Sequence, residues 1–178
     1  MDSVKVSAHS TSVLTKLSSG IVNFVKKPKL LFWLFIALNL VPNFCLLFTE
    51  PLSGLGKLIL ILVPLSIYMI LFSLFRRAGI MQLILIPVLV LHAFQLVLFY
   101  LFGESVIAVD MFLNLPTTNA SEAGELLGNI WPSIIIVCVL YIPVIVLASI
   151  AVHHKVKRTA VFRKQMITWG IIFFIVDS

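Results

Sequence analysis

The sequence predicts an all-α integral membrane fold: a helical bundle of four full transmembrane helices plus a truncated fifth, with amphipathic surface helices. Three observations carry this. Four apolar runs, Leu30 to Thr49, Leu58 to Phe75, Ile80 to Phe102 and Ile130 to Val152, hold 20, 18, 23 and 23 residues without one Asp, Glu, Lys or Arg. At about 1.5 Å of rise per residue each reaches roughly 27 to 35 Å, against a bilayer core of about 30 Å. A charge at the centre of a membrane helix costs at least ~2.5 kcal/mol, so four charge-free runs are the mark of a lipid environment. The hydrophobic content, 61% of 178 residues, points the same way.

In chain order, residues 1–28 form a leader and residues 29–178 the transmembrane domain. Within the leader, Thr11 to Val25 places Val13, Leu14, Leu17, Ile21 and Phe24 on one stripe with Lys16 off it. That pattern predicts an interfacial helix on a membrane surface. The first run is too long for a signal-peptide core and has no small-residue cleavage site after it. Pro42, Pro64, Pro87 and Pro143 predict kinks inside the four runs. Cys45 and Cys138 fall inside the runs and read as small apolar packing residues, with neither a metal site nor a disulfide framework. The last apolar stretch, Met166 to Val176, is roughly 16 Å of helix and is too short to span alone. It reads as a fifth helix cut short.

Charge orients the bundle. Of 13 Lys and Arg, all but Lys57 lie before the first run, between the second and third, or after the fourth. Positive residues stay in the cytoplasm, so the N-terminus is expected inside and the loop 103–128 outside. The net charge of +6 is thus a topology signal. No nucleic-acid partner is expected, because no nucleic-acid module is present and the basic residues sit where insertion requires them.

The loop Gly103 to Gly128 is the most informative polar segment. Glu104 to Leu113 is mostly apolar and predicts a helix at the membrane surface. Pro116 breaks the pattern. Asn119 to Leu127 predicts a second helix, with Asn119 as cap and Glu122 three residues on, as in a capping box.

Asn114, Thr118 and Glu122 are spaced Asn-x-x-x-Thr-x-x-x-Glu and followed by Ala-Gly-Glu-Leu-Leu. This stretch, placed after the third span, resembles the same region of the phosphoethanolamine transferases that modify lipid A or lipopolysaccharide core. The resemblance covers residues 30 to 178 and implies five membrane helices, an internal N-terminus, and a large periplasmic catalytic domain of the alkaline-phosphatase and sulfatase type that this chain lacks. It implies location in a bacterial inner membrane. It also implies a chemistry in which a zinc-activated threonine takes phosphoethanolamine from phosphatidylethanolamine and passes it to lipid A or a core sugar. Zinc and the nucleophile belong to the missing domain: no catalytic residue, metal ligand or cofactor is expected in this chain, whose His9, His153 and His154 lie on the expected inner side and His92 mid-membrane. By resemblance Asn114, Thr118 and Glu122 contact the donor headgroup. A carboxylate at Glu122 suits the ethanolamine ammonium, and Asn114 and Thr118 suit hydrogen bonds to phosphate or ammonium. Here the sequence departs from one helical face, because Pro116 stands between Asn114 and Thr118. The plain alternative for Glu122 is the capping box alone.

Asn39, Tyr68, His92 and Tyr141 all fall near the middle of their runs. They read as interhelical hydrogen-bonding groups, each bond worth about 0.6 kcal/mol, in preference to a proton relay. Equal depth puts Asn39 and His92 at one level, within reach of each other if the first and third spans touch. Two other functions stay open: a related transferase moving a headgroup such as phosphoglycerol, and a small non-enzymatic membrane protein or transporter complete at 178 residues.

Overall fold

The computed structural model describes residues 19–49, 51–102 and 120–177, and among them the regular structure is helical throughout. A short helical stretch at 19–25 leads into α1 (Pro28–Asn39), α2 (Val41–Thr49), α3 (Gly54–Leu74), α4 (Ile80–Ile84), α5 (Ile86–Phe102), α6 (Ala120–His153) and α7 (Ala160–Asp177). Two helices, α3 and the Ile130–His153 part of α6, are long and apolar enough to cross a membrane. The α1–α2 pair, bent by 40°, makes a third crossing if it is one span. The apolar part of α5, Ile86–Tyr100, is shorter. Expected helices over 11–18 and 104–113 lie outside the described residues.

Proline explains where the runs break. The sequence predicts the first and third runs as full helices; they break at Leu40 and Leu85, each two residues before a proline. Pro42 and Pro87 lack the N–H owed to Leu38 and Leu83, and their rings press on those carbonyls. Pro64 lies inside α3, which runs on through it. There Asn43 Nδ2, on α2, donates 3.3 Å to the Leu60 carbonyl that Pro64 leaves without its helical partner. Pro132 and Pro143 likewise lie within a continuous α6.

One further expectation is corrected. The helix foreseen over Asn119 to Leu127 is not a separate surface helix, because α6 runs from Ala120 through Gly128 to His153 without a break. The short last stretch is the apolar part of an 18-residue helix, α7, whose first turns carry Arg163 and Lys164.

The core gathers at one end. Phe32, Phe35 and Phe72 are buried together, with ring centroids 6.4 Å apart for Phe32–Phe72 and 6.0 Å for Phe35–Phe72, and Phe162 meets Phe32 at 5.2 Å. In α3 every buried residue, Ser66 to Ser73, lies in the second half. Apolar lipid gives helices no hydrophobic reason to associate, so close approach of small residues matters most. Gly170 lets α7 lie against α3: an added Cβ would stand 2.8 Å from Ile70 and 3.1 Å from the Ser66 carbonyl. Gly79, at φ +92, lets the α3–α4 turn touch α6, where a Cβ would fall 2.4 Å from the Ala148 carbonyl oxygen.

That turn is tied to the α6–α7 turn by backbone hydrogen bonds, Ala78 N–H to the Val156 carbonyl at 2.8 Å and Arg158 N–H to the Arg76 carbonyl at 2.9 Å. The end of α6 explains the register. Val156 N–H reaches back to the Ala151 carbonyl and Lys155 N–H to the Val152 carbonyl, with Lys155 left-handed at φ 51. This is a Schellman closure with lysine where glycine is usual.

Candidate functional site

Helix α2, the last turns of α5 and the 133–140 stretch of α6 line a groove of about 490 Å³. Val41 and Cys45, Leu96, Phe99 and Tyr100, and Ser133, Ile136, Val137 and Leu140 line it. Its one buried hydroxyl, Ser133 Oγ, already donates to the Ile130 carbonyl at 2.7 Å. The wall therefore offers alkyl and ring surface and no polar group in need of a partner. Cys45 packs here as expected. Cys138 does not: it faces outward from α6, because it falls on the side of the helix away from α5 and the groove.

Of the residues expected at the headgroup, Asn114 and Thr118 lie outside the described residues, as does the proposed cap Asn119. Glu122 stands in the first turn of α6. It precedes Ile130, where the apolar window of α6 begins, by about 12 Å of helix. Lipid headgroups add roughly 5 to 8 Å to each face of the core, so a helix standing along the membrane normal carries Glu122 past the apolar layer. Tyr100 and Trp131, both exposed, mark the same boundary with amphipathic rings.

The mid-helix polar residues pair differently from the expectation. Asn39 does not reach His92. Its Nδ2 donates to Gln82 Oε1 at 2.9 Å and to the Phe35 carbonyl at 2.7 Å, with both amides buried. His92 stands ten residues beyond Gln82, roughly 15 Å further along the chain's path, so it cannot share the level of Asn39. It lies instead 3.4 Å from the Tyr68 hydroxyl. Tyr141 is buried, its hydroxyl without a hydrogen-bond partner among the described residues. Sequence reasoning misses Gln82 because it carries no charge and sits in an apolar run; only the lateral contact of α1 with α4 reveals it.

The other end of the bundle holds its own constellation. Arg158 is 2% exposed and rests against Phe32, its guanidinium carbon 5.3 Å from the ring centroid. One terminal nitrogen, Nη1, donates to the Phe72 carbonyl. Arg163 Nε donates to the Ser73 carbonyl at 2.7 Å and its Nη2 to the Leu74 carbonyl at 2.6 Å. The last carbonyls of α3, which no helical N–H can satisfy, are thus taken by two cations at the negative end of its dipole. Burial, and then the like charge of Arg163, lower the Arg158 guanidinium to about 10, so it keeps its charge at neutral pH. Among the described residues no three His, Cys, Asp or Glu side chains group as metal ligands.

Neither a family model, nor a curated protein, nor a solved structure matches this chain.

Proposed function

We propose that this chain is the membrane domain of a phosphoethanolamine transferase, which takes phosphoethanolamine from phosphatidylethanolamine and delivers it to lipid A or lipopolysaccharide core. The observation that carries the reading is the Asn114, Thr118, Glu122 spacing at the outer end of the third apolar run. Its setting supports it. The loop follows α5, three residues after Tyr100 on the groove's rim, and Glu122 lies in the first turn of a helix that projects past the apolar window. In this reading an alkyl chain of the donor occupies the groove, the Glu122 carboxylate meets the ammonium, and Asn114 and Thr118 hold the phosphate. Fixing the donor at the interface would convert an encounter between two lipids into a local one. The bundle then crosses the membrane four times before α7, with the basic turns in the cytoplasm and the loop 103–128 in the periplasm.

Mass spectrometry of lipid A and core oligosaccharide tests the activity. Cells of a host without such transferases, expressing the product of the whole gene, should gain a phosphoethanolamine group. No gain at verified protein levels contradicts the reading. Orientation is separable. In a background lacking Cys45 and Cys138, an impermeant thiol reagent applied to intact spheroplasts should label Ser105→Cys and spare Thr159→Cys; the reverse pattern contradicts it.

A further inference from the structure

The geometry points to an oxyanion-binding site at the basic end, built on Arg158, whose natural occupant we propose is the phosphate of an anionic phospholipid. The inference is independent of the transferase reading.

Arg158 uses only Nη1 against the Phe72 carbonyl. Its Nε and Nη2 are buried and have no hydrogen-bond partner among the described residues. Those two nitrogens form one edge of the guanidinium plane, where two N–H bonds run parallel. It is the edge that takes a carboxylate or phosphate by a two-pronged hydrogen bond. The buried Ser73 hydroxyl, whose residue's carbonyl accepts from Arg163, is also without a partner among the described residues. A buried cation without a counter-charge is costly, so a partner for this edge is worth several times an ordinary hydrogen bond.

No carboxylate of the described chain is placed to serve. Glu122 and Glu125 belong to the first turns of α6 and Asp177 to the end of α7, at the far end of the bundle. Every described Lys and Arg except Lys57 stands at this end. The rim is cationic as well: exposed Lys29 lies 5.7 Å from the ring of Phe162, which packs on the same Phe32 that carries Arg158. The edge is covered in the structure, so a headgroup reaches it by displacing a side chain. Charge selects the occupant. A zwitterionic headgroup brings an ammonium into a cationic corner, whereas phosphatidylglycerol brings a phosphate alone, and basic pockets facing a membrane surface hold such lipids.

The test uses the full chain in detergent micelles, with native mass spectrometry counting retained lipid. The probes are phosphatidylglycerol, phosphatidylcholine and inorganic phosphate. The wild type should retain phosphatidylglycerol roughly tenfold over phosphatidylcholine. Arg158→Lys keeps the charge and loses the fork, and should bring retention down to the phosphatidylcholine level. Lys157→Gln removes one exposed charge next door and should change retention less than about twofold. Displacement of the lipid by millimolar phosphate would support the oxyanion site and assign it a soluble occupant; no displacement assigns it the lipid. Equal retention of the two lipids by the wild type overturns the proposal, and that comparison stands even if Arg158→Lys does not fold. Loss of the preference in Lys157→Gln as fully as in Arg158→Lys overturns it too, because the effect would then be diffuse charge.

Discussion

The two ends of this bundle are built on different principles. At the basic end side chains are buried, turns are zipped by backbone hydrogen bonds, and the last carbonyls of α3 are claimed by Arg158 and Arg163. At the other end the helices present more apolar surface: Phe48 is 88% exposed and Leu55 70%. In lipid that surface needs no cover, so the contrast does not measure a defect. It separates a fixed half, which sets helix positions, from an open half, where a groove and a polar loop can take a ligand. Low local packing is the usual condition of regions that bind and move.

If the basic end is the fixed half, the largest loss should come from the turn that touches α6. Gly79→Ala forces a left-handed backbone on a residue with a Cβ and drives that Cβ into the Ala148 carbonyl, a backbone atom that cannot step aside. We expect a cost of about 3 kcal/mol or more, and little folded protein by size-exclusion of a fluorescent fusion. A normal monodisperse peak would contradict a rigidly packed basic end. Arg163→Met removes two charge-assisted hydrogen bonds to carbonyls that water reaches in part, and should cost about 1.5 kcal/mol in reversible unfolding in mixed micelles. The turn after α6 predicts the opposite sign. Lys155→Gly relieves a left-handed lysine and should stabilise by about 1 kcal/mol in the same assay.

Towards the open half the effects shrink, and one of them is conditional. Asn43→Leu strips the donor from the Leu60 carbonyl and should cost only ~0.6 kcal/mol, typical of a hydrogen bond between membrane helices. In a Pro64→Ala background the helix supplies its own N–H to that carbonyl, and Asn43→Leu should then cost nothing. An unchanged cost there would show that Asn43 acts by packing instead.

How much of this can be read beforehand follows from what each feature depends on. The apolar runs are legible because lipid demands about 20 uncharged residues whatever the neighbours are, as Leu58 to Phe75 shows. The breaks at Leu40 and Leu85 are half legible: proline announces a lost hydrogen bond, but whether the helix yields depends on the surroundings, as Pro64 and Asn43 show. Gln82 and the correct partner of His92 are not legible, since equal counting from the ends of two runs assumes straight, unstaggered helices. Arg158 reads in the sequence as one of many topology charges; nothing in its local sequence distinguishes it from exposed Lys157. Of the three residues proposed for the headgroup, only Glu122 falls on described backbone, and its place at the head of a long α6 is hidden by Gly128, which in the sequence looks like the end of a loop.

If the open half receives an ethanolamine headgroup at Glu122, as proposed, the charge of that one carboxylate controls transfer. Phosphoethanolamine transfer by the whole gene product should be measured for Glu122→Gln and Glu125→Gln at matched expression. Removing one partner of a desolvated charged pair costs ~2 to 5 kcal/mol, so Glu122→Gln should slow transfer by roughly 30- to 4,000-fold while Glu125→Gln stays near wild type. A glutamine caps a helix nearly as well as a glutamate, so near-normal transfer by both variants would leave Glu122 a capping residue and contradict the placement of the headgroup.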